Sequence, residues 1–243
     1  MTESLILLPG WGLGSAPLAP LHAALREEMP DVAVTIAPLP SLVSADPRDW
    51  LDELDAKLPQ DVWLGGWSLG GMLAAELAAR RGARCRGLIT LASNLCFVAR
   101  ATWPTAMPVE TFAAFRQGCA ENVGATLKRF SLLCAQGAVQ PRELSRQLLA
   151  AAPQAPSAEL LAGLDVLAAL DTRGALQGFT GPQLHVFAGQ DALVPAAASQ
   201  ALRTAHAQSD VRLIEHVSHA FPLEHPQVLA AAIQAFIREA AND

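Results

Sequence analysis

Residues 62–79 read VWLGGWSLGGMLAAELAA: a short apolar run, a serine between glycines, and a helix-forming run in direct succession. The opening VWLGG has no polar interruption, the pattern of a strand buried on both faces. Beyond Gly71 the chain is rich in Ala and Leu, which predicts a helix over 69–81. Between them lies Gly66-Trp67-Ser68-Leu69-Gly70, a GxSxG on a tight strand-to-helix turn. A residue at the apex of such a turn is strained and closely approached from both sides, so its neighbours must be small, and Gly66 and Gly70, with Gly65 and Gly71 beside them, meet that need. The turn also sets Ser68 at a helix N-terminus, where free N–H groups and the helix dipole favour developing negative charge. Ser68 therefore reads as a nucleophile. The plainer alternative, a glycine-rich turn with an incidental serine, is disfavoured by the strand before it and the helix after it.

Working outward, five further apolar runs match the first strand: 5–8 (LILL), 32–39 (VAVTIAPL), 87–91 (GLITL), 184–187 (LHVF) and 211–214 (VRLI). Helical patterns fall between them at about 16–29, 48–58, 196–207 and 226–240. Strands alternating with helices predict an α/β fold, a mostly parallel central sheet flanked by helices. Residues 98–175 break the rhythm. They hold no convincing strand, show helical spacing such as Phe112 and Phe115, and are punctuated by proline at 104, 108, 141, 153 and 156. They read as a lid of about four helices inserted after the fourth strand, dividing the chain into a core (1–97 and 176–243) and a lid (98–175).

A serine hydroxyl is a weak nucleophile and needs a base and a group that orients the base. On a strand-turn-helix serine of this kind the partners follow in the order Ser, acid, His. Asp191 follows the fifth strand, in FAGQDALVP, and His219 follows the sixth, in HVSHAFPLEHP. Asp171 and Asp210 do not follow a strand in the right loop. His22, His185, His206, His216 and His225 read as structural or surface residues. The oxyanion donors expected are the N–H of Leu69 and, from the loop Pro9-Gly10-Trp11-Gly12, the N–H of Trp11. The Trp11 and Trp67 rings are expected to wall the substrate pocket. Gly10-x-Gly12-x-Gly14 misses the dinucleotide spacing and no P-loop lysine follows. With no HExxH and no clustered metal-ligand spacing, neither a metal nor a cofactor is expected.

The chain has 243 residues, 51% of them hydrophobic and 16% charged, with a net charge of −6. That composition excludes disorder and disfavours nucleic acid or an anionic membrane as partner. The charge is uneven, because residues 99–150 carry six basic and three acidic side chains between acidic flanks. The opening Met1-Thr2-Glu3-Ser4, with its apolar run broken at Pro9-Gly10, does not read as a signal peptide, and no apolar run approaches membrane-spanning length. Four scattered cysteines (Cys85, Cys96, Cys119, Cys134) without a CxxC pair read as reduced structural thiols in a cytoplasmic protein.

The segments LLPGWGL (7–13), WLGGWSLGG (63–71), LASNLCFVARATWP (91–104), KRF (128–130), GLDVLAALDTRGAL (163–176), GQDALVP (189–195) and SHAFPLEHP (218–226) resemble the α/β-hydrolase superfamily. More narrowly, they resemble the pimeloyl-(acyl-carrier protein) methyl ester esterases of biotin synthesis, the BioH family. The resemblance implies a serine carboxylesterase that removes the methyl group from a pimeloyl chain on acyl carrier protein; a monomer is expected. It maps the nucleophile, acid and base to Ser68, Asp191 and His219, the oxyanion donors to Trp11 and Leu69, and an aromatic pocket residue to Phe130. Arginines that meet the acidic carrier map to Arg129, Arg142 and Arg146, while one further family arginine falls at Ala125. Two other departures stand out: PGWG replaces the family's HGWG, and the usual leading antiparallel strand pair is missing. Another lidded hydrolase, a short-chain carboxylesterase or a C–C bond hydrolase, is the first alternative. A non-catalytic binding protein on the same fold is the second.

Overall fold

The computed structural model describes residues 3–241. Its centre is one sheet of six strands: β1 (Glu3–Leu8), β2 (Val32–Ile36), β3 (Val62–Trp67), β4 (Cys85–Leu91), β5 (Gln183–Ala188) and β6 (Asp210–Ile214). Their order is β2-β1-β3-β4-β5-β6, and every pairing is parallel. Parallel neighbours require crossovers, and helices supply them: α1 (Ala19–Glu28), α2 (Pro47–Lys57), α3 (Leu69–Arg81) and α9 (Ala197–Ala205), with α11 (Pro226–Ala240) closing the chain. All six residues of β3 and all six of β5 are buried, as expected of strands covered on both faces.

The order has one reversal. From β1 the chain crosses outward through α1 to β2, then returns past β1 to β3 and continues the other way. The loops leaving the carboxyl ends of β1 and β3 therefore diverge and leave a crevice between them, the usual ligand site of an open parallel sheet. The loop after β1 is Pro9–Gly12, and the turn after β3 holds Ser68.

Several boundaries differ from expectation for local reasons. The strand expected over 32–39 stops at Ile36, because Pro38 and Pro40 have no N–H to give; the last bond is Ala37 N to Leu7 O, 3.0 Å. The helix expected from residue 16 opens with a single 3-10 turn, Ala16–Leu18, and becomes α-helical only at Ala19. Two short helices were not anticipated, α8 (Arg173–Gly178) and α10 (Phe221–Glu224). Among the described residues no antiparallel strand joins the sheet, so β2 is an edge.

Between β4 and α8 lie four helices, α4 (Val109–Glu121), α5 (Val123–Ala135), α6 (Pro141–Ala151) and α7 (Ser157–Ala169). They pack in sequence, α5 against α4 and α6, with α7 returning to α4. The two chain crossings at their base are fastened together. Thr172 N donates to Leu95 O at 2.9 Å. Arg100 Nη2 reaches the carbonyls of Ala168, Ala169 and Leu170 at 3.1, 3.0 and 3.3 Å, a cation on the C-terminus of α7. Asp171 pairs with Arg173, which holds its carboxyl down to about 2.

Candidate active site

Ser68 sits between β3 and α3 at φ 54°, ψ −119°, a conformation that L-residues rarely adopt. Its backbone is held from four sides: Ser68 N donates to Leu91 O (2.8 Å), and Ser68 O accepts from Gly71 N (3.0 Å), Met72 N (3.2 Å) and the Ser93 hydroxyl (2.8 Å). The flanking glycines are demanded by space. A methyl group on Gly66 would stand 2.3 Å from the Gly70 carbonyl carbon, and one on Gly70 would stand 2.3 Å from Leu8 O and 2.4 Å from Pro9 O. Ser93 was missed by sequence reasoning, because a serine after a strand carries no signal until the packed turn is seen beside it.

His219 and Asp191 arrive from two separate loops after β5 and β6. His219 Nδ1 lies 2.6 Å from Asp191 Oδ2, with both side chains essentially fully buried. Asp191 Oδ1 accepts from Leu193 N (2.8 Å) and Val194 N (2.9 Å), so the carboxylate is fixed at both oxygens. A carboxylate at Nδ1 places the ring proton there and leaves Nε2 as the bare nitrogen. His219 Nε2 is buried and makes no hydrogen bond. The histidine is tied to the nucleophile turn through the residue before the serine: Trp67 Nε1 donates to His219 O at 2.9 Å, and the two rings lie 5.5 Å apart. Beneath them, burial and the nearby charge of Asp191 push the Cys134 thiol well above its usual range, so it stays protonated.

Trp11, in the loop after β1, is also buried. The same loop touches the serine, since a methyl group on Gly10 would stand 3.5 Å from Ser68 Cβ. Leu69 is the first residue of α3, so its N–H has no partner within the helix. The Trp11 ring meets Phe115 at 5.6 Å and Phe130 at 5.0 Å, both edge-on. Trp11 and Phe130, with Phe97, Phe115, Leu164 and Leu193, line a wholly apolar cavity of about 10 Å³. Of these residues only Trp11 and Phe130 were expected from sequence to line the pocket; the others come from four separate segments that no local pattern connects. Trp67 is outside this lining, its ring lying against Gly10 and His219. A larger cavity of about 160 Å³ takes in Gly10, Trp11 and Gly12 with Leu39, Trp50 and Leu160.

Arg129 on α5 and Arg142 on α6 are exposed, and Arg146 is exposed and paired with Glu143 one turn away on its own helix. Of the remaining histidines, His185 is a buried support held between Thr90 (2.7 Å) and Gln183 (3.3 Å), where burial lowers it to about 3, while His216 lies exposed at the surface. Among the described residues, no three His, Cys, Asp or Glu side chains converge on a point that could hold a metal ion.

A family model described as "Alpha/beta hydrolase family" matches residues 5–232. The chain belongs to the alpha/beta hydrolase family. This hydrolase is 36% identical to the pimeloyl-(acyl-carrier protein) methyl ester esterase of Aeromonas hydrophila, over 96% of its own length and 94% of the relative's. It is 39% identical to the biotin biosynthesis bifunctional protein BioHC of Cellvibrio japonicus, covering 98% of this chain but only 48% of that longer protein. Among solved structures, the bromoperoxidase of Bacillus anthracis superposes with a TM-score of 0.83 at 20% identity, over 98% of this chain and 92% of that one, a likeness of fold. The hydrolase is thus a carboxylic ester hydrolase, placed by sequence among the methyl ester esterases.

Proposed function

We propose that this hydrolase cleaves the methyl ester of a pimeloyl chain carried on an acyl carrier protein, a step of biotin synthesis, as a cytoplasmic monomer. The observation that carries the chemistry is the 2.6 Å contact of His219 Nδ1 with a doubly anchored Asp191, which leaves the buried Nε2 without a partner. In this reading Ser68 Oγ attacks the ester carbonyl and passes its proton to His219 Nε2. The oxyanion rests on the N–H groups of Leu69 and Trp11, and the tetrahedral intermediate expels methanol, which takes the proton from His219. Water, deprotonated by the same nitrogen, then releases the carboxylate and restores Ser68. Ser68→Ala is expected to abolish turnover of small esters, read as kcat on a p-nitrophenyl ester with the fold checked by circular dichroism; retained turnover would refute the nucleophile.

The choice of a carrier-bound substrate is supported by the relatives' names and by the charge on the four-helix segment, read here as a lid over residues 98–175. Of its basic residues, Arg100, Arg116 and Arg146 are engaged by Asp171, Asp165 and Glu143. Arg129 and Arg142 form no ion pair among the described residues and are free to meet an acidic carrier, with Arg146 beside them one turn along α6. Phe130, next to Arg129, is buried against the apolar cavity, so the arm of a carrier docked on α5 would reach the site along that helix. Charge reversal, Arg129→Glu with Arg142→Glu, is expected to raise KM for the carrier-bound methyl ester about tenfold or more and leave the kinetics of a free methyl ester unchanged. Equal effects on both substrates would refute docking at this surface.

A further inference from the structure

The loop that would supply the Trp11 N–H is not seated on the core alone; the four-helix segment is built onto it, residue by residue. Trp11 Nε1 donates to Leu160 O, in the first half of α7, at 2.8 Å, and this bond is buried. The indole packs edge-on against both Phe115 of α4 and Phe130 of α5, which also meet each other. Gly12, at φ +72°, lies where a methyl group would be 3.0 Å from Leu127 of α5, and Gly14, at φ +65°, where one would be 3.0 Å from Pro153.

Gly163 is the telling residue. It stands in the interior of α7, where glycine costs about 1 kcal/mol relative to alanine, and its backbone is ordinary helix. The structure gives the reason: a methyl group there would come within 2.9 Å of Trp11 Cδ1 and 3.4 Å of Trp50 Cη2. Helix stability is given up at this point to let the N–H edge of the indole come close to α7.

The apolar side of the site is also closed. The apolar cavity at Trp11 holds about 10 Å³, room for roughly one water molecule, and Ser68 is 6% exposed. A chain enters that apolar cavity only if the helices around Trp11 shift, and the contacts of the indole with α4, α5 and α7 are among those that must give. We propose that the Trp11 side chain is a latch. Its bond to Leu160 and its seat on Gly163 make the position of its own backbone N–H depend on how α4, α5 and α7 sit, so that the oxyanion site is complete only when the helices have closed over the substrate. This inference rests on the reading of Trp11 N–H as an oxyanion donor. Leu160 and Gly163 are, in these terms, positioning residues acting through Trp11.

Two variants keep that N–H and disturb the latch. Trp11→Phe retains a ring against Phe115 and Phe130 but loses the bond to Leu160, and Gly163→Ala keeps the indole but pushes it away from α7. Each is to be compared with the wild type and with Ser68→Ala on a small soluble ester such as p-nitrophenyl acetate, which needs no carrier. Alongside kcat and KM, the inhibition constant of a trifluoromethyl ketone, which forms a tetrahedral oxyanion adduct on the serine, is measured with the thermal midpoint of each protein. Both latch variants are expected to lower kcat about tenfold with KM within about twofold, and to weaken the ketone by the same factor as kcat/KM, because only interactions made in the transition state behave this way. A merely structural effect would lower the thermal midpoint without this matched loss. If Ser68→Ala is inactive while both latch variants keep wild-type kcat and ketone affinity, the latch is refuted and the nucleophile stands. If Ser68→Ala stays active, the reading of the site itself is refuted.

Discussion

Asp191 is often described in such sites only as a charge beside the histidine, but here its two oxygens have separate tasks. Oδ1 is taken by two backbone N–H groups, and Oδ2 faces His219 Nδ1. Asp191→Asn separates these tasks. The amide oxygen would keep the bonds to Leu193 and Val194, so the loop should hold its shape. The amide nitrogen would then face Nδ1 with hydrogens of its own, forcing the ring proton onto Nε2, where it blocks proton uptake from Ser68. The expected result is a fall in kcat of about 10⁴-fold with an unchanged thermal midpoint, measured on a small ester; a loss below tenfold would show that the tautomer of His219 is not controlled from this side. Ser68 carries a cost of its own at this scale. Its positive φ is worth about 1–3 kcal/mol of strain, and the four hydrogen bonds to its N–H and carbonyl are what keep it there.

The turn that carries Ser68 is an object made of three elements, the ends of β1 and β3 and the start of α3, and glycine is what lets them meet. Gly70→Ala would press a methyl group to 2.3 Å from Leu8 O and 2.4 Å from Pro9 O, both main-chain atoms in buried elements with no rotamer to yield. The expected loss is about 3 kcal/mol or more of unfolding free energy, read from urea denaturation; a loss under 1 kcal/mol would mean that β1 and α3 are not locked together as described. Gly82→Ala meets nothing within 4 Å and separates crowding from conformational strain, since Gly82 has φ +54°. This local logic is why the element scale was so legible in the sequence. The helix over 69–81 is found with those bounds, and each apolar run became a strand because buried parallel strands need unbroken apolar residues. The discrepancies fall where backbone chemistry overrides pattern, as at Pro38 and Pro40. The apolar cavity was less legible. Phe97, Met107, Phe115, Leu164, Leu167 and Leu193 look like ordinary core residues, and only the packing of α4, α5 and α7 over the Trp11 loop brings them to one place.

For the molecule as a whole, part of the pH dependence of stability comes from inside. His185, on β5, is fully enclosed and bonded to Thr90 on β4 and to Gln183, and burial lowers it from 6.5 to about 3. The folded state therefore holds this ring neutral, while the unfolded chain takes up a proton below pH 6.5. A group depressed on folding contributes stability that is complete above its unfolded pKa and is lost as pH falls toward its folded value, so the window here runs from about 6.5 down to about 3. At pH 5 the loss from this one ring is about 2 kcal/mol. His206, also lowered by burial, acts in the same direction. Replacing the ring by an amide, His185→Gln, keeps a donor and an acceptor near Thr90 and Gln183 but removes the proton uptake. Urea unfolding at pH 7.5 and pH 5 is expected to show the variant less stable than the wild type at the higher pH, with its further loss on acidification smaller by about 2 kcal/mol. An equal loss in both proteins would place the acid sensitivity elsewhere, in the carboxylates that pair across the surface, and would leave His185 as a packing residue alone.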